Sequence, residues 1–114
     1  MIKLYGIKNC VTVKKARAWL DTNSIDYEFH DFKTEGATQT QIKQWIQEIG
    51  LETLVNKRGT SWRNLDEAIK EKFNEKTAAK ILSEQPTLIK RPLVETKKSK
   101  SVGFSEEQFE KLFL

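Results

Sequence analysis

The chain opens on two periodicities in quick succession. Ile2 and Leu4 alternate with Lys3 and Tyr5, the two-residue period of a strand, and Val13, Ala16, Arg17 and Leu20 then recur along one face at helical spacing. The polar run Thr22, Asn23, Ser24 breaks that helix, and residues 25–32 (IDYEFHDF), rich in aromatics, predict a second strand. Strand, helix and strand in this order imply a parallel pair joined by a right-handed crossover.

Beyond Gly36, Thr38 and Gln41 form a capping box ahead of Ile42, Trp45, Ile46 and Ile49, a helical stripe that ends at Gly50. Residues 51–54 can add one turn. The stretch VNKRGTSWRNL reads as an irregular loop carrying Lys57, Arg58 and Arg63, because Gly59 and Thr60 interrupt the pattern. Asn64 and Glu67 repeat the capping pattern before Leu65, Ala68, Ile69 and Phe73, and a short helix over about 76–84 buries Ala78, Ile81 and Leu82 until Gln85-Pro86 stops it. A strand over 93–96, a KKSK hairpin tip, a strand over 101–104 and a last helix follow. Ser105 and Gln108 cap that helix, Phe104 and Phe109 staple it, and Phe109, Leu112 and Phe113 face inward. The order is that of a thioredoxin-like α/β fold: a β-α-β half and a β-β-α half sharing a mixed four-stranded sheet, with a helical insertion at about 38–85.

Composition narrows the picture. The chain's 114 residues, 38% of them hydrophobic, suffice for one core, so a single domain over 1–114 is expected. Twenty basic against sixteen acidic residues leave +4, dispersed through mixed-sign helices and not gathered as a nucleic-acid footprint would be. No apolar run approaches 18 residues and the first strand starts at once after Met1, so no membrane segment and a cytoplasmic location are expected.

Candidate chemistry centres on Cys10, the one cysteine, placed between the first strand and the first helix. The free N–H groups and positive dipole end of a helix N-terminus stabilise an anion, and Lys8, Lys14 and Lys15 act in the same sense, so the thiol should ionise below the free-cysteine value of about 8.5. Polar Lys8 and Asn9 argue for an open site, and Thr12 could add a hydroxyl donor. A lone cysteine can equally be a small buried hydrophobe. Val13 stands where a C-x-x-C pair needs its second cysteine, and Ala16 where a phosphatase-type C-x5-R loop needs arginine. A disulfide on Cys10 must therefore join another molecule. His30, the one histidine, has no second ligand at metal spacing and reads as structural or exposed. Arginines on the 55–65 loop can present a planar fork to an anion or simply be solvated.

The blocks YGIKNC, FHDF, RGTSWR, LIKRP and VGF, in this order and spacing, resemble the arsenate reductase-like (ArsC/Spx) family, and most closely its YffB-type branch, across essentially the whole chain. The resemblance implies that Cys10 is the nucleophile, that Arg58 and Arg91 bind an anion, and that Pro92 follows a cis bond beside the cysteine. It brings glutathione as co-substrate, a small oxyanion or thiol substrate, and glutaredoxin as a partner, with no bound cofactor and no metal. Gly103 stands where the reductases place a third arginine, Gly6 and Ile7 where they place a His-Asn pair, Val13 at their serine, and Val11 at the acidic residue of the YffB-type block. A glutathione-dependent thiol reductase is the function these residues favour. The alternatives are an Spx-type RNA polymerase-binding regulator lacking the C-x-x-C switch, and arsenate reductase itself.

Overall fold

Residues 1–114 are described by a computed structural model. The alternation at the N-terminus becomes strand β1 (Ile2–Gly6), followed by helix α1 (Val11–Thr22) and strand β2 (Tyr27–Asp31). Strands β3 (Leu93–Glu95) and β4 (Lys100–Val102) and helix α8 (Glu106–Phe113) complete this part of the chain. The sheet order is β2-β1-β3-β4, with β1 parallel to β2 and antiparallel to β3, and β3 antiparallel to β4. This is the expected β-α-β plus β-β-α, thioredoxin-like arrangement.

Between the two halves lie six short helices: α2 (Phe32–Glu35), α3 (Gln39–Ile49), α4 (Leu51–Leu54), α5 (Thr60–Arg63), α6 (Glu67–Lys72) and α7 (Ala78–Glu84), then a 3-10 turn at Pro86–Leu88. The chain divides into two units, one of residues 1–31 and 91–114 and one of residues 32–90.

In the sheet unit, Leu4 and Val94 are register partners and point at α1 and α8. With Ala16, Leu20 and Phe109 they form a buried cluster against which Trp19, Tyr27, Phe29, Phe104, Leu112 and Phe113 pack. Phe109 sets its ring edge-on to Phe104 (4.7 Å), Phe113 (5.3 Å) and Trp19 (5.5 Å). Arg17, expected on the apolar face of α1, is half-buried: its guanidinium lies 4.2 Å over Phe29 while Nε donates to the Tyr27 hydroxyl at 3.1 Å. On the opposite sheet face Tyr5 stacks on His30 at 5.0 Å and donates its hydroxyl to Glu95 at 2.8 Å. His30 Nε2 is 3.3 Å from Glu28, a sheet-surface role.

The helical unit has its own core, in which Ile42 and Trp45 of α3 and Ala78, Ala79 and Leu82 of α7 are buried and the two helices pack together. The Thr38 capping box is complete, since the Gln41 N–H donates to Thr38 Oγ1 at 3.1 Å and the Thr38 N–H to Gln41 Oε1 at 3.0 Å.

Several expectations need correcting: Ile81, expected buried, is partly exposed, β4 ends at Val102 and not at Phe104, and Phe32, expected in the second strand, opens α2. The RGTSWR stretch is not an irregular loop: Thr60–Arg63 forms one helical turn, closed by Asn64 N–H on the Thr60 carbonyl at 2.9 Å. Asp66, not Asn64, caps α6, because its carboxylate accepts the Ala68 N–H at 2.8 Å. Gln108 makes only half of the last capping box. Its N–H reaches Ser105 Oγ at 3.0 Å, but its amide turns back to the Val102 and Gly103 carbonyls. Helix α7 starts at Ala78, later than expected, because Asn74 and Thr77 form a turn of their own, with the Lys76 N–H donated to Asn74 Oδ1 at 2.8 Å.

Candidate active site

A strand ending in glycine sets the geometry. A Cβ on Gly6 would lie 2.7 Å from Val13 Cγ2, so the missing side chain lets the first turn of α1 seat directly on the end of β1. Val13 is fully buried there. The turn from Ile7 to Cys10 is closed by the Cys10 N–H on the Ile7 carbonyl at 3.1 Å, and the Cys10 carbonyl accepts the Lys14 N–H at 3.0 Å. Cys10 is thus the N-cap residue, extended at φ −86° and ψ 126°, with its backbone held on both sides.

The Cys10 sulfur is only partly exposed, and burial pushes its pKa up more strongly than any other single influence. Against this act the Val13 amide, the Arg91 guanidinium through a hydrogen bond and through its charge, and the Thr12 amide, and the net result lies below the ordinary thiol value. The Val13 and Thr12 N–H groups, in the first turn of α1, favour the thiolate at the positive end of the helix. Thr12 therefore contributes its backbone where a hydroxyl was expected. The cation on the sulfur is Arg91. Lys8 and Asn9 are exposed, as are Lys14 and Lys15, and none of the three lysines adds to the lowering.

Arg91 is placed by its successor. The Arg91-Pro92 bond is cis, as expected, Pro92 is buried, and its carbonyl accepts the Gly103 N–H at 2.8 Å. That bond ties the residue before β3 to the residue after β4. Gly103 has φ 87°, a left-handed conformation that suits glycine.

Arg58 belongs to the helical unit. It lines a cavity of about 520 Å³ with Glu52, Val55, Asn56, Lys57 and Lys90. Its N–H donates to Asn56 Oδ1 at 3.2 Å, which fixes the loop on which it stands. The Lys90 N–H donates to the Leu54 carbonyl at 2.8 Å and Val55 bridges Ile89, so two cationic segments distant in sequence border one cavity. Sequence reasoning missed Lys90 as a companion of Arg58, and missed Gly6 and the Val13 amide as parts of the cysteine's setting. Lys90 lay in the LIKRP block in plain view. The Val13 amide, being backbone, left no trace in residue identity.

The ArsC family model matches residues 5–112. A protein of Haemophilus influenzae without an assigned function is 43% identical over 113 residues, covering 99% of each chain. The global transcriptional regulator Spx of Lactiplantibacillus plantarum is 31% identical over 115 residues, covering 95% of this chain and 83% of the regulator. Among solved structures, that of a YffB protein superposes with a TM-score of 0.95 at 39% identity, covering both chains completely. No helix of the chain is long and apolar enough to cross a membrane.

Proposed function

The chain belongs to the ArsC family, and on that premise we propose that it is a glutathione-dependent thiol reductase with the Cys10 thiolate as nucleophile. One observation carries this reading: the sulfur of Cys10 sits at the N-terminus of α1 with the Arg91 guanidinium on it, and its pKa is lowered despite partial burial. A lowered thiol pKa raises the thiolate fraction, and the thiolate is the attacking species in thiol–disulfide exchange.

The steps balance as follows. The Cys10 thiolate attacks the glutathionyl sulfur of a substrate mixed disulfide. The Cys10–glutathione disulfide forms, the substrate sulfur leaves as thiolate, and it takes a proton from solvent. A second glutathione thiolate attacks that disulfide, releasing oxidised glutathione and restoring Cys10. The substrate is reduced, and two glutathionyl sulfurs end oxidised as one disulfide. Arg91 stabilises thiolate charge and offers donors to a glutathione carboxylate. The cavity lined by Arg58, Lys57 and Lys90 also holds Glu52, 3.8 Å from Lys57 Nζ, so Arg58 and Lys90 are the cations with which it would meet a carboxylate or small oxyanion. Glutaredoxin could take the place of the second glutathione, and the reducing cytoplasm supplies the thiol.

Reduction of an oxyanion such as arsenate is less favoured. At φ 87° an arginine in place of Gly103 would be strained, which argues against a third guanidinium there.

The test is reduction of a glutathionylated peptide by glutathione, followed as oxidised glutathione formed, alongside arsenate as substrate. Turnover that vanishes in Cys10→Ser supports the proposal, and a rate equal to the uncatalysed exchange overturns it. The likeness to Spx favours a second reading, a transcriptional regulator that binds RNA polymerase, and retention on immobilised polymerase without any turnover would select it.

A further inference from the structure

In the helical unit, α6 and α7 and the turn between them enclose an open groove of about 440 Å³. Its apolar positions are Ile69 and Ile81, each only partly covered by the chain. Around them stand Lys72, Lys76 and Lys80, all exposed, with Glu84 the one carboxylate of the lining. The other nearby lysine, Lys70, is held by Glu67 at 3.1 Å, whereas Lys72, Lys76 and Lys80 enter no ion pair with a carboxylate of this chain. Neither the thiol chemistry nor the Arg58 cavity uses any of these residues.

We propose that this groove is a docking site for an acidic amphipathic helix of a partner protein. Two features choose that occupant. The lining itself holds three lysines against one carboxylate, Glu84, with Glu71 and Glu75 exposed on the flanking chain, so the surface complementary to the lining is acidic. The floor is aliphatic, with Ile69 and Ile81 partly exposed, and suits the apolar face of an amphipathic helix, the helix-in-groove mode. A nucleic-acid backbone would satisfy the lysines but leave Ile69 and Ile81 without apolar contact. A small molecule would find too little cover, since small-ligand sites bury roughly 70–90% of their guest.

The probe is a synthetic helical peptide with leucines at i, i+4 and i+7 flanked by glutamates, titrated into the full chain carrying labelled isoleucine methyl groups. Controls are the same peptide with lysine for glutamate, the same with alanine for leucine, and an oligothymidine. Expected are saturable shifts centred on Ile69 and Ile81 with the acidic peptide alone, and affinity lost by about tenfold in Lys76→Glu/Lys80→Glu. Both substitutions are on exposed positions, and circular dichroism confirms that the variant is folded. Shifts centred elsewhere, equal binding of the lysine or alanine peptide, unchanged affinity in the folded double variant, or oligothymidine binding in place of the acidic peptide would each overturn the proposal. The outcome is independent of Cys10, which takes no part in it.

Discussion

The Arg91 guanidinium favours the ionised form of the Cys10 thiol, although the two residues come from opposite ends of the chain. One stands at the start of α1 and the other just before β3, and the antiparallel pairing of β1 with β3 closes the distance between them. The thiolate is thus stabilised by local amides and by one non-local cation together.

Removing the cation should be visible as chemistry at sulfur. The rate of Cys10 alkylation by iodoacetamide, followed against pH, is expected to have its midpoint below the ordinary value of about 8.5, and Arg91→Ala should move that midpoint upward. Lys8→Ala should leave it in place. An unmoved midpoint in Arg91→Ala would show that the amides of Val13 and Thr12 suffice.

The same shift has a thermodynamic sign. Because the folded state lowers the pKa of Cys10, its ionised form contributes stability that is fully present above the unfolded value and is lost as pH falls through the folded one. Urea unfolding of the wild-type chain and of Cys10→Ser, compared across neutral to mildly alkaline pH, should therefore diverge in favour of the wild type as pH rises. Parallel curves would contradict it.

Gly6→Ala tests the seat of the cysteine. The added methyl would meet Val13, which is fully buried and, being β-branched, stiff at χ1, so side chain or first turn must shift, at a cost of about 1–3 kcal/mol. Denaturant midpoints should fall, and the alkylation rate of Cys10 should change with them. Gly36→Ala has open space around its Cβ and serves as the comparison, carrying only the backbone cost of its φ of 69°.

Phe109→Ala should cost about 3–5 kcal/mol, since the ring is fully buried and touches three other aromatics. Thr38→Ala, which removes one cap on an exposed turn, should cost about 1 kcal/mol by the same urea measurement.

The sheet unit was legible in the sequence because its strands alternate and its helices carry apolar stripes, as Leu4, Val13, Ala16 and Leu20 show. The cis bond before Pro92 was legible through resemblance. The region after Gly50 was harder to read. Its helices run only four to seven residues, too short for a hydrophobic period to repeat, so their ends depend on single side chains such as Asp66 and Asn74. At the site, residue types marked Cys10, Arg58 and Arg91, but which cation reaches the sulfur depends on strand pairing. Arg91 was marked beside Cys10 by resemblance, whereas Lys8, Lys14 and Lys15, also expected to favour the thiolate, are exposed and do not lower its pKa.

Val13 occupies the place where a resolving thiol would stand, and it is packed against Gly6 with no exposure at all. No internal sulfur can therefore close a disulfide on Cys10. Once a partner is joined there, the time the bond survives is set from outside, in proportion to the concentration and ionisation of whatever thiol arrives. On the proposed chemistry, a partner joined at the first turn of α1 would stay long where thiols are scarce and leave quickly where they abound.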